Sequence, residues 1–305
     1  MATTNAPAVL VEGLHKRYGD KHAVDGLDLR VEHGEIVAVL GPNGAGKTTT
    51  VETLEGFRRA DAGHVRVLGE DPAHAGRAWR ARLGVVLQDN HDLAEVTVGE
   101  IVRHVAGFYP APRDPDAVID AVGLRAKVGA RTRTLSGGQR RRLDVALGVV
   151  GDPELLFLDE PTTGFDPQAR HEFWDLVEQL RDEGTTVLLT THYLEEAERL
   201  ADRVVVVAQG RVVAQGPPAD LGGRSARRAR VRWTVGDVTH EEATDSPTAL
   251  VARLAAQVGR ASGEVPGLQV LRPTLEDVYL GLIGEDRSET PAGAPAPVDD
   301  EEAAR

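Results

Sequence analysis

Three short groups of residues carry the types and spacing that chemistry needs. The first is Gly41-Pro42-Asn43-Gly44-Ala45-Gly46-Lys47-Thr48, with Thr49 following. Its glycines permit turns that point backbone N–H groups inward, and a helix starting beyond them adds its positive end, so a polyphosphate would meet a ring of donors. Lys47 then supplies a point charge for β- and γ-phosphates, and Thr48 offers a hydroxyl to Mg²⁺. Only four lysines occur in the whole chain, and one stands here. The second group is the apolar run Leu155-Leu156-Phe157-Leu158, ending in Asp159-Glu160. As a buried strand it would carry two carboxylates to the phosphates, Asp159 to assist the metal and Glu160 to orient or deprotonate an attacking water. Without the phosphate loop upstream, such a pair is simply a strand end meeting solvent. The third group is Leu135-Ser136-Gly137-Gly138-Gln139. Ser136 can cap a helix that begins around Gly137, and two glycines let backbone approach a phosphate closely. The same residues also make an ordinary capped helix start. One triphosphate does not need both glycine segments from one chain.

The elements that must position these groups read as alternating strands and helices. Short β-type runs at Ala8 to Glu12, Leu27 to Val31 and Glu35 to Leu40 are separated by glycine-containing turns, and the last feeds the phosphate loop. A helix follows to about Gly56, then strands at His64 to Leu68 and Leu83 to Leu87. From about His91 to Val150 the pattern is helical, opening on Thr97-Val98-Gly99-Glu100 with capping-box spacing. Strands return at Leu155 to Leu158, Thr186 to Thr190 and Val204 to Ala208, with a helix from about Pro167 to Arg181. Strand-helix alternation predicts a mainly parallel sheet. No internal repeat is visible, so one such unit is expected.

Past Leu221 come Gly222-Gly223 and five arginines by Arg232, then a mixed pattern to about Gly284. The arginines could touch anionic lipid, but alternation over Arg228 to Val235 suits an edge strand with a solvated face. From Glu285 to Arg305 seven acids face two arginines among Pro, Ala and Ser, a composition that reads as disordered.

A chain of 305 residues, 41% hydrophobic and 27% charged, can bury a full core. No window approaches a spanning helix, and Met1 to Gly13 lacks the features of a signal peptide. Zero cysteines exclude disulfides, thiolate zinc clusters and thiol catalysis. A formal charge of -13 argues against nucleic acid as principal ligand.

In their order, the three groups resemble the ATP-binding cassette of ABC transporters, over about Val9 to Leu221. The resemblance implies an α/β fold: a P-loop NTPase core with an N-terminal antiparallel β part and a helical subdomain (about 89–150), the ABC ATPase fold; the change of composition past Leu221 adds a small C-terminal α+β domain to it. The corresponding divisions are residues 8–221, 222–284 and the acidic tail 285–305. It also implies roles for further residues. Gln88, closing Val85-Val86-Leu87-Gln88, matches the family's lid glutamine, a ligand for Mg²⁺ and a reporter of γ-phosphate. His192, after Leu188-Leu189-Thr190-Thr191, matches the switch histidine that steadies the attacking water. Tyr18 matches the aromatic residue that stacks on adenine, although packing on the local sheet would also account for it. In Gly164-Phe165-Asp166, Phe165 replaces the more usual leucine, which points to altered packing across the nucleotide interface. Leu271-Arg272-Pro273-Thr274-Leu275-Glu276-Asp277-Val278-Tyr279-Leu280 resembles the C-terminal signature of the daunorubicin-resistance type of drug-export ATPase, while Thr274 with Asp277 also makes an ordinary helix start.

The implied function is hydrolysis of Mg-ATP by a homodimer in which Ser136 to Gln139 of one copy covers the nucleotide held by the other. The dimer would drive separate membrane permease subunits from the cytoplasmic face, in export. An importer ATPase with a regulatory C-terminal domain, and a cassette ATPase acting on nucleic acid or the ribosome, are the competing readings. The latter class usually carries a long coiled coil or paired cassettes, and neither is present.

Overall fold

The computed structural model describes residues 6–86, 95–223, 228–258 and 264–288. At its centre six strands lie in the order β5-β6-β7-β3-β8-β9. These are β3 (Ile36–Leu40), β5 (Leu83–Val86), β6 (Leu155–Asp159), β7 (Thr186–Thr190), β8 (Arg203–Ala208) and β9 (Arg211–Gly216). Neighbours run parallel except β8 and β9, which form an antiparallel pair. The near-continuous apolar runs follow from burial on both faces. Ile36, Ala38 and Leu40 share one core with Leu156 and Leu158, whereas Val37 and Val39 share the other with Leu155 and Phe157.

On the second of these faces sits an antiparallel sheet, β2-β1-β4, built from β1 (Val9–Tyr18), β2 (Lys21–Val31) and β4 (Ala62–Val67). Its core includes Val51 and Leu54 of α1 (Lys47–Leu54) and Trp79 of α2 (Arg77–Arg80), whose indole N–H donates to Val67 O at 2.8 Å. Sequence reading places a turn after Glu12. The strand instead continues through a bulge, with Gly13 at φ 59° and a register shift between Val11 and Leu14, so β1 reaches Tyr18.

The opposite face is covered by α3 (Val98–Ala106), α4 (Pro115–Ala121), α5 (Gly137–Val149), α6 (Pro167–Asp182) and α7 (Leu194–Leu200). The expected box at the start of α3 is present: Glu100 N donates to Thr97 Oγ1 at 3.3 Å, and Thr97 N to Glu100 Oε2 at 2.8 Å.

The C-terminal part is an antiparallel sheet, β11-β10-β12, with β10 (Ala229–Val235), β11 (Val238–Thr244) and β12 (Gln269–Leu271), and the helix α8 (Pro247–Gln257) packed by Leu250 and Leu254 on Val231. The expected edge strand β10 is the central one, paired on both sides. Its arginines nevertheless face solvent, Arg232 meeting Glu241 at 2.8 Å. The last helix, α9 (Leu275–Ser288), returns to the cassette: Leu275 and Val278 are buried in the helical-face core, and Leu275 N donates to Glu198 of α7 at 3.2 Å. Thr274 and Asp277 form the expected N-terminal box of α9. Most of the acidic tail, 289–305, lies outside the described residues.

Candidate active site

The phosphate loop joins β3 to α1, and its shape requires glycine at two places. A Cβ at Gly41 would lie 2.2 Å from Val207 O, and one at Gly46, which has φ 103°, would lie 2.3 Å from Ala23 O. Gly44 is also left-handed, at φ 80°. Ala45 N donates to Pro42 O at 3.1 Å, closing the turn around the exposed Asn43. Lys47 is 8% exposed, and its ammonium donates to Gly41 O at 2.7 Å and Pro42 O at 3.2 Å. Burial pushes the Lys47 pKa down, against the nearby charges of Glu160 and Asp159. Thr48 is exposed in the first turn of α1, and Thr49 is half-buried beside it.

The paired acids arrive at the end of β6, which β7 separates from β3 in the sheet. Asp159 pairs in register with Thr190, whose hydroxyl donates to Asp159 Oδ1. The Glu160 N–H donates to Thr190 O at 3.0 Å, and Glu160 adopts φ 46°, a left-handed conformation uncommon outside glycine. His192 Nδ1 lies 3.3 Å from Glu160 Oε2. Thus Lys47, Asp159, Glu160 and His192 come together at the carboxyl ends of β3, β6 and β7, where ligands of open parallel sheets bind. Sequence reasoning missed Thr190. Its signal was its place at the end of the strand expected next along the chain after the one that leads to Asp159.

Ser136 caps α5 as expected, and a reciprocal bond goes beyond that expectation: Gln139 N donates to Ser136 Oγ at 3.3 Å, and Ser136 N to Gln139 Oε1 at 3.2 Å. Gly137 and Gly138 have no left-handed backbone. A Cβ at Gly137 would meet nothing within 4 Å, and one at Gly138 only a Phe165 ring carbon at 4.0 Å. Among the described residues, no hydrogen bond joins residues 136–139 to the phosphate loop. One turn further along α5, the buried Arg141 donates through Nε to Pro161 O at 3.0 Å and through Nη2 to Asp159 O at 2.5 Å. Arg141 was not singled out from sequence, where it is one of three consecutive arginines.

Tyr18 ends β1 with its ring 42% exposed, flanked by the Lys16 ammonium at 5.7 Å and the Arg58 guanidinium at 5.5 Å. It is therefore not buried against its sheet. Gln88 lies outside the described residues. Phe165 is 7% exposed and packs edge-on against Phe173 at 5.9 Å within its own chain. Its extra bulk is absorbed by the helical-face core.

The donor set suits a small hard cation. Among the described residues no cluster of three or more His, Cys, Asp or Glu converges on a point. Mg²⁺ does not require one, since it takes one or two protein oxygens and fills its octahedron from phosphate and water. The Thr48 hydroxyl and Asp159 carboxylate are oxygens of that kind.

The sequence pattern of the family described as ABC transporter matches residues 24–163. The chain is 42% identical over 309 residues to the daunorubicin resistance ATP-binding protein DrrA3 of Streptomyces coeruleorubidus, spanning 92% of this chain and 97% of that protein. It is 41% identical over 318 residues to the Nod factor export ATP-binding protein I of Ralstonia nicotianae, with coverage of 92% and 95%. The structure of an ATP-binding subunit of an ABC transporter superposes with a TM-score of 0.65 at 26% identity, over 70% of this chain and 91% of that one. With likeness of this extent joined to a phosphate loop, paired acids and a Ser-Gly-Gly-Gln helix start in one cassette, the chain belongs to the ATP-binding subunits of ABC transporters and is an ATPase.

Proposed function

We propose that the chain powers an exporter whose channel lies on separate membrane chains, and that two copies close head to tail around two Mg-ATP. The observation that carries the reading is the pair Gly137 and Gly138. Glycine costs up to about 1 kcal/mol relative to alanine in a helix interior and less in the first turn, where these two stand, and nothing in this chain requires its small size at either position. The room is explained by a phosphate of a nucleotide held on the other copy, approached by the N–H groups of the α5 start. Among the described residues no helix is long and apolar enough to cross a membrane, which supports a channel on other chains and a peripheral, cytoplasmic site of action. Export is supported by the names of the relatives, one a resistance protein and the other an export protein. The permease docks on the segment from Gln88 to residue 100, of which 88–94 lie outside the described residues; charge reversal at its acidic positions, with Gln88 kept, uncouples transport and leaves basal hydrolysis intact.

In this reading Lys47 and the loop N–H groups hold the β- and γ-phosphates, and Tyr18 stacks on the base. Thr48, Asp159 and Gln88 hold Mg²⁺, which supplies charge neutralisation at the phosphate oxygens. Glu160 accepts a proton from the attacking water, and His192 steadies that water. Light scattering on Glu160→Gln, with and without Mg-ATP, tests the dimer. A monomer-to-dimer shift that is lost in the added Gly138→Val variant is expected. A monomer that has demonstrably bound ATP counts against the head-to-tail reading.

A further inference from the structure

Behind the Glu160–His192 pair lies a carboxylate withdrawn from solvent. Glu196, early in α7, is 0% exposed. A buried carboxylate is costly, and apolar side chains of similar volume commonly pack as well or better, so its presence calls for a reason beyond core filling.

The groups around Glu196 come from α6 and from the segments that follow Glu160 and precede His192. Trp174 Nε1 of α6 donates to Glu196 Oε1 at 3.3 Å. Burial drives the Glu196 pKa up, while Thr191, Trp174 and Thr162, and then the charge of Arg170, draw it back. Thr191 immediately precedes His192 and is 0% exposed. Thr162 stands two residues past Glu160 and is also 0% exposed. The Thr162 hydroxyl is near enough to influence the carboxylate, yet neither it nor Glu196 Oε2 completes a hydrogen bond of good geometry. Arg170, whose guanidinium covers the Tyr193 ring at 4.5 Å, has its Nε buried in the same condition.

These contacts close a circuit. From Glu160 the chain passes Thr162 to Asp166, which caps α6 by accepting from Ala169 N at 2.8 Å. Trp174 of α6 then donates to Glu196, and Thr191, which draws the Glu196 carboxyl back toward its ordinary range, is the residue before His192. We propose that Glu196 is a positioning residue that ties the segment following Glu160 to the segment carrying His192, and thereby sets how the two groups face bound ATP. The proposal rests on the assignment of Glu160 and His192 to hydrolysis. A residue that only stabilised the fold would change melting and leave turnover of the folded fraction alone.

Steady-state ATP hydrolysis by Glu196→Ala, Glu196→Gln, Thr162→Val and the Ala/Val double variant, with Glu160→Gln alongside, tests it. Misplacing catalytic groups by an ångström costs up to about 100-fold, so Glu196→Ala lowers kcat by about 10- to 100-fold. KM for ATP moves by less than about 3-fold, because the nucleotide contacts lie elsewhere. Glu196→Gln keeps the volume and the acceptor for Trp174 and restores most of kcat. Thr162→Val lowers kcat at unchanged KM, and the double variant is no slower than Glu196→Ala, since the two act through one network. Wild-type kcat in Glu196→Ala, or losses that add in the double variant, overturns the proposal. If Glu196→Ala does not fold, Thr162→Val decides: reduced kcat at unchanged KM and Tm sustains the proposal, and unchanged kcat overturns it. Normal turnover in Glu160→Gln is a separate failure, that of the assignment on which the proposal rests.

Discussion

His192 Nδ1 stands 3.3 Å from Glu160 Oε2, although 32 positions of chain separate them. The relationship comes from strand register. Asp159 and Thr190 pair across parallel β6 and β7, so the residues just beyond each strand end emerge side by side. The Glu160 backbone, at φ 46°, is held by its N–H donating to Thr190 O at 3.0 Å. A left-handed non-glycine residue costs on the order of 1–3 kcal/mol and persists where surrounding structure enforces it.

Replacing the Glu160 carboxylate by an amide keeps shape and removes the proton acceptor. Glu160→Gln is expected to slow hydrolysis by about 10² to 10⁴ while ATP still binds. His192→Ala is expected to lose about 10² in kcat, with little change in affinity. Phosphate release and binding of a fluorescent nucleotide separate the two effects, and near-normal turnover in Glu160→Gln sinks its role as base.

Glycines that look alike in sequence should behave oppositely. Gly46→Ala meets Ala23 O and keeps a strained φ, so it should cost about 1–3 kcal/mol and lose ATP binding. Gly138→Ala makes only an ordinary contact with Phe165 and should raise stability, by less than about 1 kcal/mol, yet lower ATPase activity if a second copy's nucleotide approaches there. Urea denaturation paired with activity checks both. Full activity in a stabilised Gly138→Ala removes the main support for the head-to-tail dimer.

Lys47→Ala removes a charge-assisted contact worth about 1.5–3 kcal/mol, so the ATP Kd should rise by about 10- to 100-fold. Isothermal calorimetry reads this directly. An unchanged Kd would show that the loop N–H groups alone hold the phosphates.

Glu55 closes α1 and is partly buried. Burial, followed by the charges of Asp159 and Glu52, raises its pKa from 4.5 to about 8. The folded state then holds the proton more tightly than the unfolded state. Stability from this group is complete below about pH 4.5, declines as pH rises, and is gone above about pH 8. Glu55→Gln imitates the protonated form. It should be more stable than the parent by roughly 1–3 kcal/mol near pH 9 and nearly equal near pH 5. Denaturation curves at both pH values check this, and an equal difference at both removes the explanation.

Leu275 is 3% exposed and anchors α9 in the core of the cassette. Leu275→Ala should cost about 2–5 kcal/mol and expose α9 to protease before the rest of the chain. Resistance equal to the parent would mean that the Glu198 bond and Val278 suffice to hold the helix.

Much of the cassette is legible in the order of residues because its signals are local. The apolar runs that become β3, β6, β7 and β8 are long enough to read as strands, and their two-sided burial accounts for the lack of alternation. The caps at Thr97, Ser136 and Thr274 depend on residues three apart, so residue type and short spacing announce them. The bulge at Gly13 was misread as a turn because a left-handed glycine serves both, and only pairing with β2 and β4 distinguishes them. The central place of β10 was likewise hidden, since the strand that covers its second edge comes from residues 269–271.

The sequence by itself determined the phosphate loop, the paired acids and the capped Ser-Gly-Gly start, because each is a run of neighbours whose chemistry follows from side-chain type and short spacing. Tertiary structure decided how they work together. The contact of His192 with Glu160, the hydroxyl of Thr190 on Asp159, the grip of Arg141 on the carbonyls of residues 159 and 161, and the meeting of Glu196 with Trp174 all join groups 18 to 32 positions apart. Such contacts are created by strand register and helix packing, which depend on the whole core and are written in no single segment of the chain.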